Sequence, residues 1–217
     1  LTLSADWRVS SIGGYFLSSC TSLKQVDFPS WSLTNGIGIE FMSGCTSLES
    51  LTLPDTWTPS SIGTAFLQGC TSLKSLDLSK NLSYLAKFNE NFLRNCKQLE
   101  TLAMPDTLPN ITSIDGYFMR QCSSLKNFTL PTMANLSSIG IHFMSSCWAL
   151  EGSIDLSSST GGSMTIGDYF LYDCEKITSV KFSSTFNPTS FTISMFLCNC
   201  PNLISVDLGA CPASIFN

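Results

Sequence analysis

Eight times in this 217-residue chain a phenylalanine is followed four residues later by a cysteine. The cysteines are Cys20, Cys45, Cys70, Cys96, Cys122, Cys147, Cys174 and Cys200, spaced 25, 25, 26, 26, 25, 27 and 26 residues apart. Their rings are Phe16, Phe41, Phe66, Phe92, Phe118, Phe143, Phe170 and Phe196, each followed by Leu or Met. Three residues past the cysteine stands Leu, or Ile177 in the seventh copy. Then comes an apolar pair separated by one residue, from Val26/Phe28 and Leu51/Leu53 to Val206/Leu208. The sixth copy carries one extra residue, Gly152 or Ser153, before its pair. Self-similarity at a fixed period over the whole length specifies a solenoid, in which each unit buries its apolar face only by stacking on the next.

The phrase L-x-x-L-x-L alternates apolar and polar at its end, as a half-buried strand does. One such strand per repeat, all running one way, makes a parallel ladder with strands about 4.8 Å apart. Pro29, Pro54, Pro105 and Pro131 follow the strand and end it by removing a ladder donor. Between Ile12-Gly13, Ile62-Gly63, Ile139-Gly140 or Ile166-Gly167 and the cysteine, apolar residues fall three and four apart. That spacing predicts a short helical turn behind the sheet. Copy four, with Phe88-Asn89 in place of Ile-Gly, and copy eight, reading FTISMFLCNC, are expected to be distorted. The fold class is therefore an α/β repeat solenoid: one domain over 1–217, with about eight repeats. Leu1-Thr2-Leu3 matches Leu51-Thr52-Leu53, so the chain opens on a partial strand and reads as a fragment of a longer protein. Neither end shows a polar capping repeat, which leaves strand edges open to end-to-end self-association.

The string IGTAFLQGCTSLKSLDL at 62–78 and its sister copies resemble the BspA-like, or Treponema pallidum type, leucine-rich repeat, over essentially the whole chain. The resemblance implies a right-handed leucine-rich-repeat solenoid. It also implies a secreted or surface-displayed protein, extracellular in location, that adheres to host proteins and other cells. The alanine that the family usually carries before the phenylalanine survives only as Ala65. Tyr15, Glu40, Asn91, Tyr117, His142, Tyr169 or Met195 stands there elsewhere, which turns that position toward solvent or a variable gap.

A cysteine every 25 residues has none of the local C-x-x-C geometry of zinc sites. Stacked thiols pointing the same way also make poor disulfide partners. The cysteines read as a buried column of reduced thiols. Cys198 and Cys211 lie outside it near Cys200, and a local disulfide there stays open. His142 is the only histidine, on a position that varies between copies, and nothing orients it for triad chemistry. Asp27, Asp77, Asp155 and Asp207 share a column and could mimic paired glycosidase acids, but they recur because the repeat recurs. No phosphate-binding loop is present, and LPDT at 53–56 is followed by Trp57, not the glycine of a sortase signal. The chain reads as a non-enzyme without cofactor or metal.

Only 12% of the residues are charged, the net charge is −5, and about a quarter of the residues are Ser or Thr. With no run of Lys or Arg, an acidic chain repels phosphate backbones, which excludes nucleic acid. No stretch approaches the roughly 18 apolar residues of a membrane helix. The polar strand residues form three outward columns. The first alternates Lys24, Glu49, Lys74, Glu100, Lys126, Glu151, a pattern expected to pair opposite charges across the ladder. The second carries hydroxyls and amides; the third reads Asp27, Thr52, Asp77, Ala103, Thr129, Asp155, Lys181, Asp207. The candidate binding face is thus Lys24, Asp27, Glu49, Thr52, Lys74, Asp77, Glu100, Lys126, Thr129, Asp155, Lys181 and Asp207. Its expected partner is a protein or glycan, including host extracellular proteins; the alternative is a passive stalk that spaces another domain. Ice binding fits poorly, because Lys97, Trp148, Glu175 and Pro201 interrupt the hydroxyl files. The loops carry Trp31, Trp57, Tyr84, Phe186 and Phe191, of which Trp57 shares the offset of Trp7, Leu82, Leu108 and Phe186 and is expected in the core. Asn81, Asn110, Asn127 and Asn135 head glycosylation sequons of the kind that Ser/Thr-rich chains generate by chance.

Overall fold

The computed structural model describes residues 1–160, 164–186 and 193–211, so Phe191 and part of copy eight lie outside the described residues. Along the chain run β1 (Ser11–Ile12), β2 (Gly36–Ile37), β3 (Ser50–Leu51), β4 (Ser75–Asp77), β5 (Lys87–Phe88) and β6 (Thr101–Ala103). They are followed by β7 (Ser113–Ile114), β8 (Ser138–Ile139), β9 (Gly152–Leu156), β10 (Thr165–Ile166), β11 (Ile177–Phe182) and β12 (Ser205–Asp207). Every pairing is parallel and joins one copy to the next, as the period requires.

The expected strand face forms, but in two pieces. One sheet is β3-β4-β6, with Leu76 opposite Leu51 and Leu102; the other is β9-β11-β12, with Val180 opposite Ile154 and Val206. Thr2, Asp27 and Thr52 continue the first in register, so the opening Leu1-Thr2-Leu3 sits where the repeat phrase puts it. The register slips between Ile177 and Ser179, opposite Gly152 and Ser153, which absorbs the extra residue of copy six. Copy five forms no strand over 126–130 and separates the two sheets. Its alternation survives nonetheless: Phe128 is buried between exposed Asn127 and Thr129.

The Ile-Gly positions form a second ladder that the sequence reading missed. Ile12 lies opposite Ile37, which bridges Ile62; farther along, Phe88, Ile114, Ile139 and Ile166 are in register. The glycine is there because the preceding copy's backbone comes too close for a side chain. A Cβ on Gly63 would meet the Ile39 nitrogen at 2.5 Å. Copy four has Asn89 there, and between Ile62 and Phe88 the ladder stops. The Asn89 amide instead donates to the Ile62 carbonyl. The expected distortion of copy four is this single break.

The short helical turns do not form: no helix occurs among the described residues. The class is correspondingly a parallel β-solenoid, not α/β. From five residues before each cysteine to one before it, every second residue has positive φ: Tyr15, Leu17 and Ser19 at 60°, 53° and 59°, and Asn91, Leu93 and Asn95 at 61°, 54° and 65°. A helix would spend its N–H groups inside its own turn; here they go to neighbouring copies. In the copies from Cys45 to Cys174 the first residue of the triplet donates to the following copy (Tyr117 to Ile141 O, 2.7 Å), the second to the preceding one (Met119 to Phe92 O, 2.8 Å), and the third to the following again (Gln121 to Ser145 O, 2.8 Å). Left-handed φ on a non-glycine residue costs roughly 1–2 kcal/mol, and a buried hydrogen bond returns about 0.5–1.5 kcal/mol. The remainder comes from the side chains that this backbone aims inward.

Those side chains form files. The phenylalanines stack nearly parallel at 5.3–5.9 Å, as with Phe66–Phe92 at 5.3 Å and Phe118–Phe143 at 5.5 Å. Trp57 is fully buried, as its offset indicated, and stacks on Trp31 at 6.0 Å, while Tyr84 stays exposed. One continuous apolar cluster runs through the described copies.

Candidate functional site

All ten cysteines are free thiols, and Cys45, Cys70, Cys96, Cys122, Cys147 and Cys174 are buried. Each buried sulfur also donates. Cys70 Sγ lies 3.2 Å from Met42 O, Cys96 Sγ 3.2 Å from Leu67 O and Cys147 Sγ 3.3 Å from Met119 O. The thiol is thus a small apolar residue with one weak donor, aimed at the preceding copy's turn carbonyl. Desolvation pushes the Cys96 and Cys147 thiols up to about 12, so they stay protonated. A protonated, buried thiol is neither nucleophile nor metal ligand. Cys198, Cys200 and Cys211 are half-buried and likewise unbridged. No group of three or more His, Cys, Asp or Glu able to hold a metal ion occurs among the described residues.

Every one of the twelve candidate side chains is exposed on the strand side. The register brings Asp27 beside Thr52, Asp77 beside Ala103, and Lys181 between Asp155 and Asp207. The alternating charges do not pair as expected. Among the described residues only Lys24–Glu49 closes, at 3.8 Å, while Glu151 reaches Lys176 at 3.1 Å instead of Lys126. Exposed pairs return too little to fix long side chains. Lys74, Glu100 and Lys126 are therefore left with their charges unpaired.

Three of the acids already serve the backbone. Asp77 Oδ1 accepts the Ser79 N–H at 2.8 Å, Asp155 that of Ser157 at 2.8 Å, and Asp207 that of Gly209 at 3.0 Å. Hydrogen bonds from Ser79 and Ser157 hold the Asp77 and Asp155 carboxyls below the usual carboxylate value. The Asp-Leu-Ser and Asp-Leu-Gly spacing of these turns was present in the sequence and went unread.

Where the ladder thins, two shallow depressions open. One is lined by Gln25, Asp27, Ser50, Thr52 and Pro54. The other lies over the gap at copy five, between Ala103 and Asp106 on one side and Asn127, Thr129 and Pro131 on the other. Asp27, Thr52 and Thr129 thus share walls with neighbours that sequence reasoning did not single out. Asn127 is exposed there, whereas Asn81 is buried with its amide donating to Pro54 O and Trp57 O at 3.0 and 2.9 Å. The Asn81 sequon is closed to modification in the folded chain.

The family model for the BspA type leucine rich repeat region matches residues 2–113 and 86–215. No curated protein is similar in sequence. Among solved structures, a leucine-rich repeat protein from Bacteroides ovatus is similar at 23% identity and a TM-score of 0.60, over 92% of this chain and 52% of that one. The chain thus spans about half the length of that relative, and the likeness shows the fold alone. The Treponema pallidum leucine rich repeat protein has 19% identity and a TM-score of 0.40, over 95% of this chain and 68% of that one. A leucine rich cell surface protein from Faecalibacterium prausnitzii has 15% identity and a TM-score of 0.39, over 100% of this chain and 89% of that one.

Proposed function

Because the chain belongs to the BspA-type leucine-rich repeat family, we propose that it is a non-catalytic binding module within a longer secreted or cell-surface protein, holding a protein ligand on its strand face. The observation that carries this reading is the pair of polar depressions at Asp27/Thr52 and Asn127/Thr129, where backbone and short side chains are exposed together. An extended segment of a partner finds donors and acceptors there without displacing an ion pair. Adhesion to host extracellular proteins follows from the family resemblance. The turn-capping roles of Asp77, Asp155 and Asp207 support a second reading, a passive stalk whose strand face carries only structure.

Binding to immobilised extracellular-matrix proteins separates the two. Asp27→Ala/Thr52→Ala and Asn127→Ala/Thr129→Ala variants are expected to fold normally and lose retention. Undiminished retention by both would remove the strand face as the binding surface, and no retention of any such protein by the unmodified chain would favour the stalk.

A further inference from the structure

His142 looked like an ordinary surface residue, yet it stands inside a file of planar groups on the turn side. Its ring stacks on Tyr117 at 5.1 Å and 15°, and on Tyr169 at 4.3 Å and 14°; Tyr172 meets Tyr169 edge-on at 5.6 Å. The Arg94 guanidinium carbon lies 4.8 Å from the Tyr117 ring centre and that of Arg120 5.7 Å. The turn backbone builds this file. Tyr117, His142 and Tyr169 all have φ near +60° and all donate their N–H to the following copy, so each ring is launched in the same direction one copy further on.

Neither arginine of the file is held in an ion pair. None of the three ion pairs among the described residues includes Arg94 or Arg120. Arg94 donates to Asn91 Oδ1 at 3.0 Å, and Arg120 Nε is buried without a partner, as is Asn95 Oδ1. Of the nearby carboxylates, Asp115 pairs with Lys87 at 3.2 Å, while Asp168 and Asp173 keep their charge and are turned to the Ser194 N–H and the Trp148 indole N–H, both at 2.8 Å. All six residues are half-buried; the Tyr172 hydroxyl accepts from the Asn199 amide at 3.4 Å and His142 Nδ1 lies 3.2 Å from Ser145 Oγ, which leaves the Tyr117 and Tyr169 hydroxyls and the remaining guanidinium N–H groups as the file's free donors among the described residues. Such a surface offers donors and positive charge in planes that fit carboxylate or sulfate.

We propose that the Arg94–Tyr117–Arg120–His142–Tyr169–Tyr172 file binds an acidic glycan, a chain carrying carboxylate or sulfate groups. Its stacked rings recur once per copy, at 5.1 and 4.3 Å, which is close to one pyranose ring. An extended peptide repeats its same-side groups at roughly 6.6 Å, twice its rise per residue, and falls out of register after two copies. This surface is separate from the strand face and stands or falls independently of it.

The test is retention of the full chain on heparin and on hyaluronan, with neutral dextran and poly-L-glutamate as controls. One or both acidic glycans are expected to bind at low salt and to release as screening rises. The Arg94→Gln/Arg120→Gln variant, unchanged in melting temperature, is expected to bind at least about tenfold more weakly, equivalent to about 1.4 kcal/mol. The Asn127→Ala/Thr129→Ala variant is expected to bind like the unmodified chain. The proposal is overturned if neither acidic glycan binds, if dextran or poly-L-glutamate binds as tightly as they do, or if the double-arginine variant is unaffected.

Discussion

The turn side and the strand side of this solenoid carry the same period and use it differently. On the turn side the hydrogen bonds between copies run unbroken from Tyr15 to Cys198, and the Phe and Cys files lie directly beneath them. On the strand side the ladder is split at copy five, and most of its charges stand unpaired. Stacking is therefore enforced from the turn side, where three N–H groups of each interior copy donate to a neighbouring copy. The strand side follows that stack and is free to vary. A surface released from holding the register can hold a ligand instead.

The buried thiols offer the largest way to break this contrast. Their pKa is raised in the folded chain, so folding keeps them protonated while the unfolded chain ionises above the ordinary value of 9.0. Below pH 9 they contribute fully, and stability falls as pH rises from 9 toward about 12. The loss is about 1.4 kcal/mol per buried thiol per pH unit in that window. Urea unfolding at a series of alkaline pH values measures it. A flat profile to pH 11 would put the thiols outside the core.

Next in size is Phe66→Ala, expected to destabilise by about 3–5 kcal/mol through a cavity in the ring file. Thr129→Ala, on the strand side two copies further along, is expected to stay within about 0.5 kcal/mol. Equal effects in equilibrium denaturation would erase the distinction between the two sides. Smaller again is a pair of glycines. Gly63→Ala drives a Cβ into the Ile39 backbone and is expected to lower stability by about 2 kcal/mol or more, whereas Gly13, with nothing within 4 Å, is expected to tolerate alanine. A smaller loss, about 0.5–1 kcal/mol from the lost turn hydrogen bond, is expected for Asp77→Ala. Because its folded pKa is depressed, that contribution is present above the ordinary value of 3.8 and vanishes as pH falls below it. Melting curves of the variant and its parent should therefore converge in acid.

The period, the Phe and Cys files, the burial of Trp57 and the polar strand columns were legible in the sequence, because every copy prints them in register. The turn geometry was not. Left-handed φ is normally announced by glycine or asparagine, but here Leu17, Met42, Tyr117 and Met144 adopt it and only Gly44, Gly69 and a few Asn give the usual sign. Apolar residues three and four apart then imitate a helix. The second ladder escaped notice because two-residue strands are too short to alternate. Exposure of the twelve candidate side chains followed from strand parity. The capping roles of the aspartates, the depressions at the ladder's thin places and the Tyr117–His142–Tyr169 stack depend on contacts between copies, which no single repeat displays.

The central claim, that the turn side holds the stack, is tested most directly by native-state hydrogen exchange resolved to single amides. The N–H groups of Leu67, Leu93, Met119 and Met144, bonded to the preceding copy at 2.8–3.0 Å, are expected in the most protected class, opening only with global unfolding. Those of Asn127 and Thr129 are expected to exchange orders of magnitude faster. Rapid exchange at the four turn amides, with the strands β3, β4 and β6 better protected, would contradict it.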